Sequence, residues 1–101
     1  MYYVSTRDKS LRCTASEAIE QGRVGVGGLV APEVLPKLCQ NASETMREMS
    51  YQQRAVYVMN LFLEEYSVKE LTEYAVHAYG PQKFDTELVV PVRQVDQNTY
   101  A

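Results

Sequence analysis

The chain has 101 residues, which is the length of one typical domain, and we expect a single domain over residues 1–101. Apolar residues make up 46% of the sequence and charged residues 23%, which is typical of a globular protein and argues against disorder. The net charge of -3 argues against a nucleic-acid partner, because such proteins need a positive surface to contact phosphates.

The first predicted elements are a strand and a short helix. Residues 2–5 begin with aromatic and β-branched side chains and predict the strand, whereas the mostly polar residues 6–13 predict a loop. Thr14 and Glu17 match a capping box, in which each side chain bonds a backbone amide of the other residue, and this predicts a helix beginning after Thr14. Gly22 predicts the end of that helix, because glycine adopts the left-handed conformation at little cost.

The glycines of residues 25–28 predict a tight turn, followed by a brief extended segment over residues 29–31. The turn does not match a phosphate-binding loop. A dinucleotide loop needs glycine where Val30 stands, and a P-loop needs lysine where Gly28 stands. We therefore interpret these glycines as turn positions that need a positive φ.

Two helices are predicted in the middle of the chain. Capping boxes mark their starts, at Ser50 with Gln53 and at Ser67 with Glu70. The first helix has the widest apolar stripe and is predicted to lie at the centre of the core, with residues 43–49 as an optional backward extension. Gly80 followed by proline predicts the end of the second helix. The very short linker predicts that the two helices pack as a hairpin or a corner.

The last segment predicts extended structure. Residues 88–90 predict a strand that ends at Pro91, residues 96–98 predict a turn, and residues 99–101 predict the start of another strand. The predicted fold class is therefore α+β, a small single domain with short strands near both termini and three to four helices between them.

Few residues are candidates for chemistry. His77 is the only histidine, so it is the only base of that type available to a serine or cysteine nucleophile. Cys13 and Cys39 lack the spacing of metal ligands and are interpreted as two reduced, small apolar residues. Glu64 and Glu65 are neighbours on a helix, so their carboxylates diverge by about 100°. The residues alone predict no catalytic, cofactor-binding or metal site.

No apolar run approaches the roughly 20 residues that a membrane span needs. Residues 1–7 also lack the apolar core of a signal peptide. We expect a soluble cytoplasmic protein with no membrane partner.

The order of the motifs resembles the amino-terminal domain of the threonine synthase family. Residues 3–7 (YVSTR) are similar to the first strand of the family, residues 17–22 to its first helix, and residues 27–32 (GGLVAP) to its Asp-Gly-Gly-Leu-x-x-Pro loop. The segment from Phe84 and Asp85 to residues 90–92 is similar to the stretch that leads into the catalytic body.

Three residues depart from the family pattern. Asp8 stands where the family commonly has glycine, Val26 where it commonly has aspartate, and Gly25 where proline is frequent. Loss of the aspartate puts in doubt any loop contact that its carboxylate makes. The departures leave open whether the parent protein is a threonine synthase or a diverged relative.

The resemblance implies an enzyme that uses pyridoxal phosphate to convert O-phospho-L-homoserine and water to L-threonine and phosphate. The cofactor lysine of the family lies in a motif expected just after Tyr100, so we expect this chain to be a structural lobe that ends before the catalytic body. The lobe itself is then expected to bind no cofactor. Its partner is the missing catalytic domain. The surface that would contact that domain is expected to be exposed in this chain and to self-associate. The alternative is a free-standing protein-interaction module without enzymatic activity.

Overall fold

Short strands lie near both ends of the chain and helices occupy the middle, which confirms the predicted α+β fold. The structure is a computed structural model that describes residues 1–23, 25, 27–84 and 88–101. In this part of the chain the elements follow the order β1 (Tyr3–Ser5), β2 (Arg12–Cys13), α1 (Ala15–Gln21), β3 (Val30–Pro32), α2 (Ala42–Arg47), α3 (Tyr51–Phe62), α4 (Val68–Ala78), a 3₁₀ turn (Pro81–Lys83), β4 (Gln94–Asp96) and β5 (Thr99–Tyr100).

The amino-terminal sheet places β1 between β2 and β3, and both pairings are antiparallel. The register puts Val4 opposite Arg12 on one side and opposite Ala31 on the other. Val4 and Ser5 are buried in this central strand. The prediction of a loop throughout residues 6–13 was wrong at its end, because a strand of two residues is too short to show the alternation that identifies strands.

Helix α1 begins and ends where the sequence predicted. The Thr14 side chain accepts a bond from the Glu17 amide, the Glu17 carboxylate accepts one from the Thr14 amide, and Gly22 ends the helix with a φ of 74°. Among the apolar side chains of α1, Ala15 is buried but Ile19 remains 65% exposed. The helix therefore has apolar surface that the described residues leave uncovered.

Helix α2 is a separate element, so the backward extension of α3 over residues 43–49 was wrong. Ser50 interrupts the helical path with an extended backbone (φ −68°, ψ 167°) and caps α3 through the Gln53 amide. The Arg54 side chain then reaches back from α3. It donates to the carbonyl of Met46 at 2.6 Å and to that of Arg47 at 3.2 Å, which satisfies acceptors at the end of α2.

Helices α3 and α4 form an antiparallel hairpin, which is one of the two predicted arrangements. The rings of Tyr51 and Tyr79, at opposite ends of the two-helix sequence, are 5.0 Å apart, and Gln52 donates to the Tyr79 carbonyl at 2.7 Å. The buried residues lie on α4, where Leu71 and Ala75 are each 1% exposed. The prediction that α3 lies at the centre of the core was wrong, because none of its residues is buried. The elements packed against α3 cover only part of its wide apolar stripe.

The carboxyl-terminal segment differs from the prediction in its first half. Residues 88–90 form bends and not the predicted strand. Pro91 follows them directly, and proline restricts the preceding backbone and cannot donate to a sheet. Further on, β4 pairs with β5, which confirms the turn after Asp96 and the strand at Thr99; β4 itself was not predicted.

The two cysteines differ in accessibility, which gives a first testable prediction. Cys13 is 6% exposed, and burial, followed by the nearby charge of Glu17, raises the pKa of its thiol. Both cysteines are free thiols, as predicted, but Cys39 is exposed, and its Sγ lies 3.3 Å from the Tyr57 hydroxyl oxygen. Because alkylation requires an accessible thiolate, we expect iodoacetamide to modify Cys39 at least about tenfold faster than Cys13 in the folded protein.

Peptide mass spectrometry of a labelling time course would measure the two rates separately. The same experiment in urea is the control, because unfolding should bring the rates together. Equal rates in the folded protein would contradict the burial of Cys13.

Candidate functional site

The two segments that carry the clearest motifs lie side by side in the structure. Strands β1 and β3 pair, and the contact continues past them: the Thr6 amide donates to the Leu29 carbonyl at 2.8 Å, and the Leu29 amide donates to Thr6 Oγ1 at 2.9 Å. We call residues 5–7 together with residues 27–29 the motif junction. Val26 and Asp85, which the resemblance also singled out, lie outside the described residues.

The polar groups of the motif junction are used to hold its backbone. Ser5 is 1% exposed, and its Oγ accepts a bond from the Arg7 amide at 3.2 Å. A Cβ atom on Gly28 would lie 3.1 Å from Ser5 Oγ and 3.2 Å from Thr6 Oγ1. Any residue other than glycine at position 28 would therefore crowd these two side chains. The single histidine, His77, is exposed on α4. The junction is therefore a packed connection between two segments, and its hydroxyls have structural partners.

Asp8, one of the departures from the family pattern, organises the turn between β1 and β2. Its Oδ1 accepts bonds from the Ser10 amide at 3.0 Å and from the Ser10 hydroxyl at 2.6 Å. These two bonds stabilise the charged carboxylate and lower its pKa. The aspartate thus fits this position by closing the turn through its side chain, as aspartate often does in turns.

Three polar contacts join the amino-terminal sheet and α1 to the end of α3, and we call them the layer bridge. Tyr3 donates from its hydroxyl to the Phe62 carbonyl at 2.6 Å. Glu64 accepts from the amino group of Met1 at 2.7 Å. Glu65 accepts from the Ser16 amide at 2.6 Å. The two glutamates are exposed and bond different partners, so their carboxylates do not converge, as the sequence predicted.

Through Tyr3, we expect the layer bridge to make the free energy of unfolding fall at alkaline pH. Burial, followed by the charges of Glu64 and Glu65, raises the pKa of its phenol above the usual value of about 10. A raised folded-state pKa means that the contribution to stability is complete below the unfolded pKa and is lost as pH rises through the folded pKa. We therefore expect part of the stability to disappear above about pH 10.

Replacing Tyr3 with phenylalanine should lower the free energy of unfolding by about 0.5–1.5 kcal/mol at neutral pH, because the bond to the Phe62 carbonyl is lost. It should also weaken the alkaline dependence, as measured by urea unfolding at about pH 7 and about pH 10.5. Tyr2 is the matched control, since it is 52% exposed and its replacement by phenylalanine should change neither result. An unaltered alkaline loss in Tyr3→Phe would rule out Tyr3 as its source.

The four lysines of the described residues stand apart from the larger cavities. The lysines Lys9, Lys37, Lys69 and Lys83 are all exposed, and none lines the cavities of about 490, 390 and 280 Å³ that adjoin α3 and α4. The largest of these three cavities lies between the two helices and is lined by Ser50, Gln52, Gln53, Val56, Val68, Thr72 and Val76. No side chain in that lining titrates near neutral pH.

The described ranges contain neither a three-residue metal cluster nor a helix that could span a membrane. Histidine, cysteine, aspartate and glutamate side chains in these ranges do not gather in groups of three or more that could hold a metal ion. None of the helices described has the length and apolar character that crossing a bilayer requires.

An apolar groove runs between α1 and the helical hairpin. Ile19 and Leu63 line two adjoining cavities in it, of about 280 and 230 Å³. The other lining residues are mostly apolar: Tyr3, Ala15, Ala18, Gly22, Val30, Met59, Tyr66, Leu71 and Tyr74. The groove brings residues from the sheet, α1, α3 and α4 to one surface, which the sequence did not predict because they are far apart along the chain.

Comparison with known proteins agrees with the motifs. Residues 2–79 match the family model described as threonine synthase N terminus. The threonine synthase of Corynebacterium glutamicum is 33% identical over 106 residues, covering 99% of this chain and 22% of that protein. The threonine synthase of Methylobacillus glycogenes is 27% identical over 107 residues, with the same coverages of 99% and 22%.

The chain belongs to the threonine synthase amino-terminal family. It spans about a fifth of the length of the curated relatives that it matches. The motif junction lies within the matched residues, so the contacts between residues 5–7 and 27–29 describe how this family's two motifs pack in this chain.

Proposed function

We propose that this chain is the amino-terminal structural lobe of a pyridoxal-phosphate-dependent threonine synthase that converts O-phospho-L-homoserine and water to L-threonine and phosphate. The observation that carries the proposal is the match of nearly the whole chain to about a fifth of two threonine synthases. On this proposal residues 1–101 are one domain, the cofactor and its lysine belong to the rest of the protein, and the enzyme works in the cytoplasm.

The role we assign to the lobe is mechanical. Hydroxyl and carboxylate groups near the motifs accept hydrogen bonds that stabilise turns and connect distant segments. These groups belong to Ser5, Thr6, Asp8 and Glu65. The apolar groove and the exposed face of α1 offer surface on which a larger body could pack. Covering such surface is favourable by about 25 cal/mol for each Å² of apolar area removed from water.

The proposal is tested by comparing this chain with the longer protein that the gene encodes past residue 101. The longer protein should release phosphate from O-phospho-L-homoserine and form threonine when supplied with pyridoxal phosphate. The 101-residue chain should do neither in the same assay. Absorption spectra before and after borohydride treatment, followed by peptide mapping, would locate any lysine that holds the cofactor. Attachment to one of the four lysines named above would refute the structural role.

The competing function, a free-standing interaction module, predicts a different result. A gene that stops after Ala101 would favour it and remove the support for a catalytic parent. The exposed apolar groove is compatible with both functions. On either one, the isolated chain should self-associate, and sedimentation showing a monomer at high concentration would contradict that expectation.

A further inference from the structure

The hairpin of β4 and β5 forms a second sheet, separate from the amino-terminal one. Its exposed apolar side chains include Val92, Val95 and Tyr100, which are 72%, 67% and 62% exposed. A two-stranded hairpin is marginally stable in water unless a further strand or a packed layer supports it. These strands have three and two residues, so the hairpin as described lacks the support that such a structure needs.

The hydrogen-bond pattern shows which backbone groups are directed outward. Arg93 and Ala101 exchange both backbone bonds, at 2.6 and 2.8 Å. In an antiparallel pair such residues alternate with pairs that make no bonds to each other, and the next pair is Gln94 opposite Tyr100. The amide and carbonyl of Tyr100 therefore point away from β4, along the outer edge of β5, and those of Gln94 point to the opposite edge.

The described edge of β5 carries no side chain of the kind that usually blocks pairing. Natural sheets block exposed edges with proline, lysine or a covering element. Residues 92–101 contain no proline and no lysine, and Thr99 and Tyr100 are exposed. Thr and Tyr also favour strands, so the edge is suited to accept a partner strand.

We propose that the hairpin is the edge of a larger sheet, and that an extended segment of the remainder of the parent protein pairs with the outer edge of β5 at Tyr100. The inference rests on the proposed function, because the occupant belongs to the roughly four-fifths of the relatives that this chain does not cover. The choice of β5 over β4 follows from chain order, since consecutive strands usually lie side by side and β5 is the last strand described.

Hydrogen exchange resolved to single amides tests the proposal in the 101-residue chain and in the longer protein. We expect the Tyr100 amide to exchange at least about 100-fold more slowly in the longer protein, because it gains a backbone partner. The Gln94 amide, on the opposite edge, is the internal control and should change little. Slowing at Gln94 alone, or at neither amide, would overturn the proposal. Equal slowing at both would indicate general burial and would also overturn it.

A variant pair provides a second readout in the longer protein. Tyr100→Pro removes the outward donor, and Gln94→Pro removes the equivalent donor on the other edge. We expect the first variant to lower the unfolding temperature more than the second does, whereas Tyr100→Ala should retain most of the stability that the backbone bond provides. If Tyr100→Ala lowers the unfolding temperature as much as Tyr100→Pro does, the stabilisation comes from the tyrosine ring and not from the backbone bond. That result would overturn strand pairing.

The outcome separates this inference from the proposed function. A longer protein that makes threonine while Tyr100 exchanges rapidly would refute the strand alone. A longer protein that is inactive while Tyr100 is protected would refute only the proposed function. A gene that ends at residue 101 would refute both. Concentration-dependent protection of Tyr100 in the short chain would identify a second copy as the occupant and would overturn the assignment.

Discussion

Replacing Leu71 with alanine should lower the free energy of unfolding by about 2–5 kcal/mol. Leu71 is 1% exposed on α4, and among the described residues it is the largest of the side chains that are fully buried. Its truncation removes buried methyl groups and leaves a cavity that the neighbouring helix fills only in part. Domains of this kind have a total stability of about 5–15 kcal/mol, so the loss is a large fraction of the whole.

The measurement is urea unfolding followed by circular dichroism, with the thermal midpoint as a second readout. Each 1 kcal/mol should lower that midpoint by about 4–8 °C in a domain of this size. The matched control is Val76→Ala on the same helix, where the side chain is 56% exposed. The control should change the free energy of unfolding by no more than about 0.5 kcal/mol. Equal losses from the two variants would show that α4 does not bury the face that carries Leu71.

Replacing Gly28 with alanine should cost about 2–4 kcal/mol, because two penalties add at this position. Gly28 has a φ of 79°, in the left-handed region that residues with a Cβ avoid. The added atom would also lie 3.1 Å from Arg7 Cγ, beside the hydroxyls of Ser5 and Thr6. The second penalty arises because these neighbours are part of the motif junction and cannot all move without breaking its hydrogen bonds.

Gly22 separates the two penalties. Its φ is 74°, but a Cβ there would have no atom within 4 Å. Gly22→Ala should therefore cost only the conformational term, about 1–2 kcal/mol. Amide exchange at Leu29, whose N–H donates to Thr6, should quicken in Gly28→Ala and stay unchanged in Gly22→Ala. Identical costs, or identical exchange at Leu29, would mean that the junction tolerates the added atom.

The helix starts were predictable because the interactions that determine them are local. Each of the three capping boxes joins residues only three positions apart, and all three form as expected at Thr14, Ser50 and Ser67. The extended backbone of Ser50 also explains why α2 and α3 are separate helices. The capping box at Ser50 was the sequence signal for this break, since an N-cap residue has a non-helical backbone.

The strands were less predictable because their partners are distant. Strand β2 has two residues, and only its pairing with β1 identifies it. Residues 88–90 show the opposite error: they are apolar enough for a strand, but in the structure they form bends beside Pro91. An apolar run acquires strand structure only when a neighbouring strand satisfies its backbone groups.

The motifs of the candidate site were predictable from the sequence, but the contacts between them were not. The sequence identified residues 3–7 and 27–32 separately, but not that Thr6 and Leu29 bond each other across the junction. It predicted that the carboxylates of Glu64 and Glu65 diverge, but not that Glu65 accepts a bond from the Ser16 amide at the start of α1. Contacts across about 20–60 positions leave no local pattern, because each residue type involved is also common on ordinary surfaces.

The sequence by itself determined the family, the starts of α1, α3 and α4, and the turn glycines, because each depends on residues that are close together in the chain. Only the tertiary structure decided that α4, and not α3, supplies the buried residues of the helical hairpin, that the sheet and α1 are joined to the end of α3, and that an apolar groove remains open. These features depend on how much surface one element covers on another, and that coverage exists only once the elements have packed.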